Sequence, residues 1–92
     1  MADVIVKLKI MPTGTEVDLS ALQKNIEVKI KKFGAKLIHS VSQEPIAFGL
    51  KALIIVFLID EKISNLEQLE TAIKTDKNIV SAEVIDVRRA IG

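Results

Sequence analysis

Few side chains in this 92-residue chain are of types that do chemistry, and their spacing does not bring them together. The single histidine, His39, has no cysteine and no second histidine to complete a transition-metal site, so it reads as a surface or half-buried side chain. Asp60 and Glu61 are adjacent carboxylates, but neighbours on a turn do not converge on one substrate, and they read as the end of a strand. Glu67 and Glu70 fall on one face of a helical stretch and read as solvated. No serine sits in a nucleophile elbow and no glycine-rich phosphate loop occurs. With no cysteine, thiol catalysis, disulfides and thiolate metal sites are excluded. These residues are therefore read as offering no catalytic residue, no metal-ligand set and no cofactor site; a small enzyme of the acyl-phosphate hydrolase kind would need an arginine-bearing phosphate loop near the first strand, which is not visible. Arg88 and Arg89, its only arginines, stand side by side near the chain end. They suit either an anchor for a partner's carboxylate or phosphate, or a solvated terminus.

The residue type that stands out is an aromatic in a turn. Glu44-Pro45-Ile46-Ala47-Phe48-Gly49-Leu50 precedes an apolar stretch that begins at Lys51. Pro45 fixes its own φ and pushes Glu44 towards an extended backbone. Gly49 can take angles closed to other residues, and Ala47 adds little bulk. The expected product is a short, stiff loop that presents Phe48. A benzyl group is costly in water and valuable in a pocket. Spacing alone leaves two readings open: the ring plugs the edge of its own core, or it is offered to a partner.

The elements that must hold this loop are legible from periodicity. Val4, Val6, Leu8 and Ile10 alternate with Ile5, Lys7, Lys9 and Met11, which is a strand, and Pro12-Thr13-Gly14-Thr15 ends it. Asp18 is a good N-cap for a helix whose apolar stripe is Leu19, Leu22, Ile26, Ile30 and Phe33, with Gly34 as its C-cap. Lys36 to Gln43 reads as a polar edge strand, Leu37, His39 and Val41 on one face and Ile38, Ser40 and Ser42 on the other. Lys51 to Ile59 is apolar on both faces, which suits a central strand. Ser64 with Glu67 fits a capping box that opens a second, shorter helix striped by Leu66, Leu69, Ala72 and Ile73. A last strand runs from Ile79 to about Val87, Val80, Ala82 and Val84 opposing Ser81, Glu83 and Ile85. The order β-α-β-β-α-β, with right-handed crossovers, predicts an α+β ferredoxin-like split βαβ sandwich. Its four-stranded antiparallel sheet carries both helices on one face, with the first and third strands central. Residues 1–92 are expected to form a single such domain.

Composition narrows the partners. Thirteen basic residues face 12 acidic ones, so a strong nonspecific grip on nucleic acid is not implied. The base-stacking aromatics of an RNA-binding module of this plan are missing from the first strand, and Phe57 stands alone among aliphatics in the third. The apolar run Ala52 to Ile59 is too short to span a bilayer, and the first residues carry no secretory pattern. A cytoplasmic protein, monomeric when free and with neither nucleic acid nor membrane as a direct partner, is expected.

The loop just described, with Ala52-Leu53, the opening Asp3-Val4 strand ending in Met11-Pro12, and the closing Glu83-Val84-Ile85-Asp86-Val87-Arg88-Arg89, resembles the archaeal translation elongation factor 1-beta family over essentially the whole chain. The resemblance implies a guanine nucleotide exchange factor for elongation factor 1-alpha, the GTPase that delivers aminoacyl-tRNA. Such a factor promotes GDP release without making or breaking a covalent bond. It implies partner-binding roles for Pro45, Ile46, Ala47, Phe48, Gly49 and Lys51, with Phe48 matching an aromatic inserted into the GTPase by eukaryotic relatives. Ala47 replaces a glycine of their pattern, and Ala52 replaces the second of two lysines after it. Those relatives also place a lysine near their C-terminus, towards the Mg²⁺ position. This chain has Arg88 and Arg89 there instead, so displacement of Mg²⁺ by a lysine is not carried over: both arginines are expected among the partner-binding residues, and either one of them supplies a partial substitute or the Phe48 loop suffices. The competing reading is a ligand-sensing or regulatory ferredoxin-like domain that dimerises through its sheet, suggested by the apolar second face of the third strand.

Overall fold

The computed structural model describes residues 2–63 and 65–90. Strands β1 (Asp3–Pro12), β2 (Leu37–Pro45), β3 (Lys51–Asp60) and β4 (Ile79–Arg89) form one sheet in the order β2-β3-β1-β4. All three pairings are antiparallel. Helices α1 (Leu19–Phe33) and α2 (Leu66–Lys74) cover one face. This is the ferredoxin-like arrangement read from the sequence, with β1 and β3 in the middle.

The core lies between that face and the helices. Val6, Leu8 and Ile10 of β1 and Leu53, Ile55, Phe57 and Ile59 of β3 are all fully buried there. Leu22, Ile26 and Ile30 of α1 and Leu69 and Ile73 of α2 close over them. Full burial stabilises each large aliphatic side chain by about 1.5–3 kcal/mol, so a chain without disulfides can hold its sheet by this layer alone. Ala52 and Ile54 are also buried but lie on the opposite, helix-free face of β3, outside that cluster.

Helix α1 begins and ends as its sequence dictates. The Asp18 carboxylate accepts hydrogen bonds from the amides of Ser20 and Ala21. At the other end Gly34 adopts φ 131°, and the amides of Gly34 and Ala35 return to the carbonyls of Lys31 and Ile30. A side chain at Gly34 would also meet Ile63 Cδ1 at 2.7 Å from its Cβ. Helix α2 differs from expectation. Its N-cap is Asn65, whose side chain accepts from the amide of Gln68. The capping box anticipated at Ser64 falls outside the described residues.

The edge strands carry a second difference. In β2, Ile38 pairs with Phe57 but Ser40 pairs with Val56, so His39 is an extra, bulged residue. The bulge resets the alternation: Ile38 and Val41 both lean on the core, whereas Leu37 shares the open face and stays exposed. Strict alternation had placed Leu37 with Val41. The last strand departs in the same way. Pro12 pairs with Ile79 and Met11 with Ser81, while Leu8 pairs with Val84 and Lys7 with Asp86. Val80 and Ile85 are therefore the surplus residues, and Ile79, Ala82 and Val84 face the core.

Candidate exchange interface

The hairpin that joins β2 to β3 presents the most exposed large apolar side chain described. Pro45 and Lys51 form its last ladder pair. Beyond them the Ile46 amide donates to the Leu50 carbonyl at 2.8 Å, and the Leu50 amide to the Ala47 carbonyl at 3.3 Å. Ala47–Gly49 forms a single tight turn inside these bonds. Ile46 is half-buried and roots the loop, whereas Ala47, Phe48 and Gly49 stand out.

Phe48 is 94% exposed. Its φ of 63° and ψ of 27° place it in the left-handed region, and it is the only non-glycine residue described with positive φ. That region costs an ordinary residue about 1–2 kcal/mol and is rare for a bulky one. Gly49 follows at φ 77°, as its type allows. Two consecutive left-handed residues turn the chain sharply enough to aim the benzyl group away from the sheet. The core-plug reading of Phe48 is thus set aside by geometry. The conformation of Phe48 itself had no sequence signal, because only Gly49 advertised positive φ.

A groove of about 430 Å³ lies beside this loop, on the helix side of the sheet. Thr15, Ser20, Gln43, Gly49 and Lys51 are among its walls. Lys51 is exposed and shares the helix-side face with Leu53.

The arginines are elsewhere. Strand β4 runs antiparallel to β1, so its C-terminal end lies beside Val4 and Ile5. The Phe48 loop extends from the far end of β3. Arg88 pairs with Ile5 on the open face, and its Nε donates to Asp86 Oδ2 at 2.8 Å. Arg89 pairs with Val4 on the other face, and its Nη2 lies 3.3 Å from Glu61 Oε2. The two guanidinium groups are therefore not a joint anchor, and each is partly satisfied at home. Both side chains remain at least three-quarters exposed, at 78% and 75%. Exposed pairs of this kind are worth little, so a partner's anion can compete for them.

The remaining polar candidates resolve into structural roles. His39 is exposed at the bulge. Asp60 Oδ1 accepts from the Lys62 amide at 2.9 Å and shapes the turn after β3. Among the described residues no three histidine, aspartate or glutamate side chains gather as a metal site. Among the described residues no helix is long and apolar enough to cross a membrane. Glu70 corrects its reading as a solvated residue: it is half-buried, and its Oε2 accepts from the Val84 amide at 2.7 Å.

Residues 5–90 match the EF-1 guanine nucleotide exchange domain. The chain belongs to that family. It is 38% identical over 87 residues to elongation factor 1-beta of Methanococcus maripaludis, covering 95% of this chain and 97% of the relative. It is also 38% identical over 89 residues to elongation factor 1-beta of Methanothermobacter thermautotrophicus, covering 97% and 98%. Elongation factor 1-beta of Methanosarcina barkeri matches at 38% over 89 residues, covering 97% and 99%. Among solved structures, the ACT domain of a Chlorobium tepidum GTP pyrophosphokinase superposes with a TM-score of 0.61 at 13% identity, covering 91% of this chain and 88% of that one. The designed protein Foldit4 gives 0.57 at 23% identity, covering 98% of each. These two show the fold alone. Family membership assigns guanine nucleotide exchange in translation elongation.

Proposed function

We propose that this protein acts in the cytoplasm as a monomer on the elongation factor 1-alpha GTPase, entering it with Phe48 and releasing GDP without covalent chemistry of its own. What carries the reading is an exposed benzyl group on a hydrogen-bonded hairpin, in a backbone conformation that the loop must sustain at a cost. Strain of that kind clusters at active sites, ligand clamps and switch regions.

Exchange is a linkage problem. The factor must bind the nucleotide-free GTPase more tightly than the GDP-bound form, and GDP must then weaken the factor's grip by the same ratio. A rigid apolar wedge meets this condition if its pocket opens fully only when the nucleotide site is distorted. Pro45, Ile46, Ala47 and Gly49 set the wedge's direction, and Lys51 at its base offers a cation to an acidic rim. The arginines add a second contact. Because they sit at the other end of a molecule 42 Å long, both contacts form together only if the partner runs along the sheet's length. That suits a large GTPase and not a short peptide.

Stopped-flow release of a fluorescent GDP from the cognate elongation GTPase tests this directly. The protein should accelerate release, and Phe48→Ala should abolish most of the acceleration while its circular dichroism stays native. A hot-spot aromatic is worth about 2 kcal/mol or more, which predicts a loss of roughly thirtyfold. Unchanged release by Phe48→Ala would refute the wedge.

A further inference from the structure

The face on which each terminal arginine sits is decided by one surplus residue. Had β4 paired regularly beyond Val84, every second residue would follow Val84 onto the core side, and Arg88 would be among them. The bulge at Ile85 inverts this phase: Asp86 and Arg88 pair with Lys7 and Ile5 on the open face, and Arg89 turns to the helix side. A one-residue change of register moves a whole strand segment's side chains to the opposite face. Something must hold the bulge in place, because β4 is an edge strand with a ladder partner on one side only.

Glu70 is placed to do so. It lies on α2, between the core residues Leu69 and Ile73, and its Oε2 accepts from the amide of Val84, the residue just before the bulge. The contact is 2.7 Å long, partly buried, and spans 14 residues of sequence. A carboxylate on a backbone amide is a charge-assisted bond, stronger than a neutral one. We propose that Glu70 is a positioning residue for nucleotide exchange: by holding the Val84 amide it keeps the β4 bulge at Ile85, and thereby directs Arg88 and Arg89 to their two separate faces for the partner. This rests on the reading of the arginines as partner contacts.

The test is a cycle of variants in the GDP-release assay, joined to amide exchange followed by NMR. Glu70→Ala should speed hydrogen exchange at Val84 and shift the resonances from Val84 to Arg89. It should slow stimulated GDP release by the same factor as Arg88→Ala with Arg89→Ala. In the arginine-free background Glu70→Ala should cost nothing further. Glu70→Gln keeps an acceptor oxygen and should restore both Val84 protection and release. A merely structural role would instead slow release equally in both backgrounds, and that result overturns the proposal. Unchanged Val84–Arg89 resonances in Glu70→Ala overturn it as well. If the arginine pair variant releases GDP at the wild-type rate while Phe48→Ala is slow, the arginine reading fails and the positioning role falls with it, leaving the wedge intact.

Discussion

Phe48 and Arg88 occupy opposite ends of the same sheet. Arg88 stands level with Ile5 and hence with Leu58, seven positions along β3 from Lys51, and Phe48 lies beyond Lys51. At roughly 3.3 Å per residue that is about 23 Å of strand before the loop begins. No direct contact, shared neighbour or mutual field couples them.

Substitutions at the two ends should therefore combine independently. The factor lost in GDP release by Phe48→Ala, multiplied by that of Arg88→Ala/Arg89→Ala, should equal the loss in the triple variant. Additivity within about 0.5 kcal/mol is usual for sites this far apart. A triple variant no worse than the poorer parent would mean that the two ends act as one unit.

The phenylalanines at 48 and 57 should respond in opposite ways. Phe57 is fully buried at the centre of the core, so Phe57→Ala should destabilise the fold by about 3–5 kcal/mol. Phe48→Gly should remove left-handed strain of about 1–2 kcal/mol, less a backbone-entropy cost of about 0.5–1 kcal/mol. It should leave the urea midpoint unchanged or raised while abolishing stimulated release. A lowered midpoint would mean that the ring contributes to the fold after all.

Gly49→Ala isolates conformation from crowding. The nearest atom to a Cβ there is Thr15 Cγ2 at 3.8 Å, an ordinary contact. The cost should be the left-handed backbone alone, about 1 kcal/mol in urea unfolding. GDP release should fall too, because relief of the strain re-aims the neighbouring Phe48. Full activity with reduced stability would show that the aim of the loop is not critical.

Lys36 supplies a pH signature. Its Nζ donates to Asp3 Oδ1 at 2.7 Å, tying the turn after α1 to the start of β1. That hydrogen bond, reinforced by the charges of Asp3 and Asp60 and opposed by desolvation, raises the ammonium's pKa above its usual 10.5. A group whose pKa is raised on folding stabilises fully below its unfolded value and loses that contribution as pH climbs through the folded one. The stability difference between the protein and Asp3→Asn should thus be flat from neutral pH to about 10 and shrink at higher pH. The pair is exposed, so the difference should be small. A difference that grew with alkalinity would contradict the assignment.

Periodicity was enough to read the four strands, both helices, the Asp18 and Gly34 caps and the central places of β1 and β3. In each case burial and backbone bonding point the same way. It failed where one residue more or less mattered. His39 and Ile85 interrupt alternation, and nothing in their side chains marks a bulge, because the cause is pairing with a distant strand. Glu70 looked solvated because its acceptor role depends on an amide brought alongside by the last strand. At the interface, Pro45 and Gly49 announced a stiff turn, but the left-handed state of Phe48 is imposed by the closing bonds of the hairpin, Ile46 to Leu50 and Leu50 to Ala47. Arg88 and Arg89 appeared as a pair in one dimension, and strand geometry separates them.

Both margins of the sheet are poor rails for another chain. On one side His39 breaks the rhythm and Pro45 has no amide to offer. On the other, Val80 and Ile85 kink the strand within six residues of each other. Fibril growth needs long, flat, regularly spaced hydrogen-bonding groups. The uncharged, proline-free run Ala52 to Ile59 has the composition of a cross-β segment, and these irregular borders deny an incoming chain a template on either side of it.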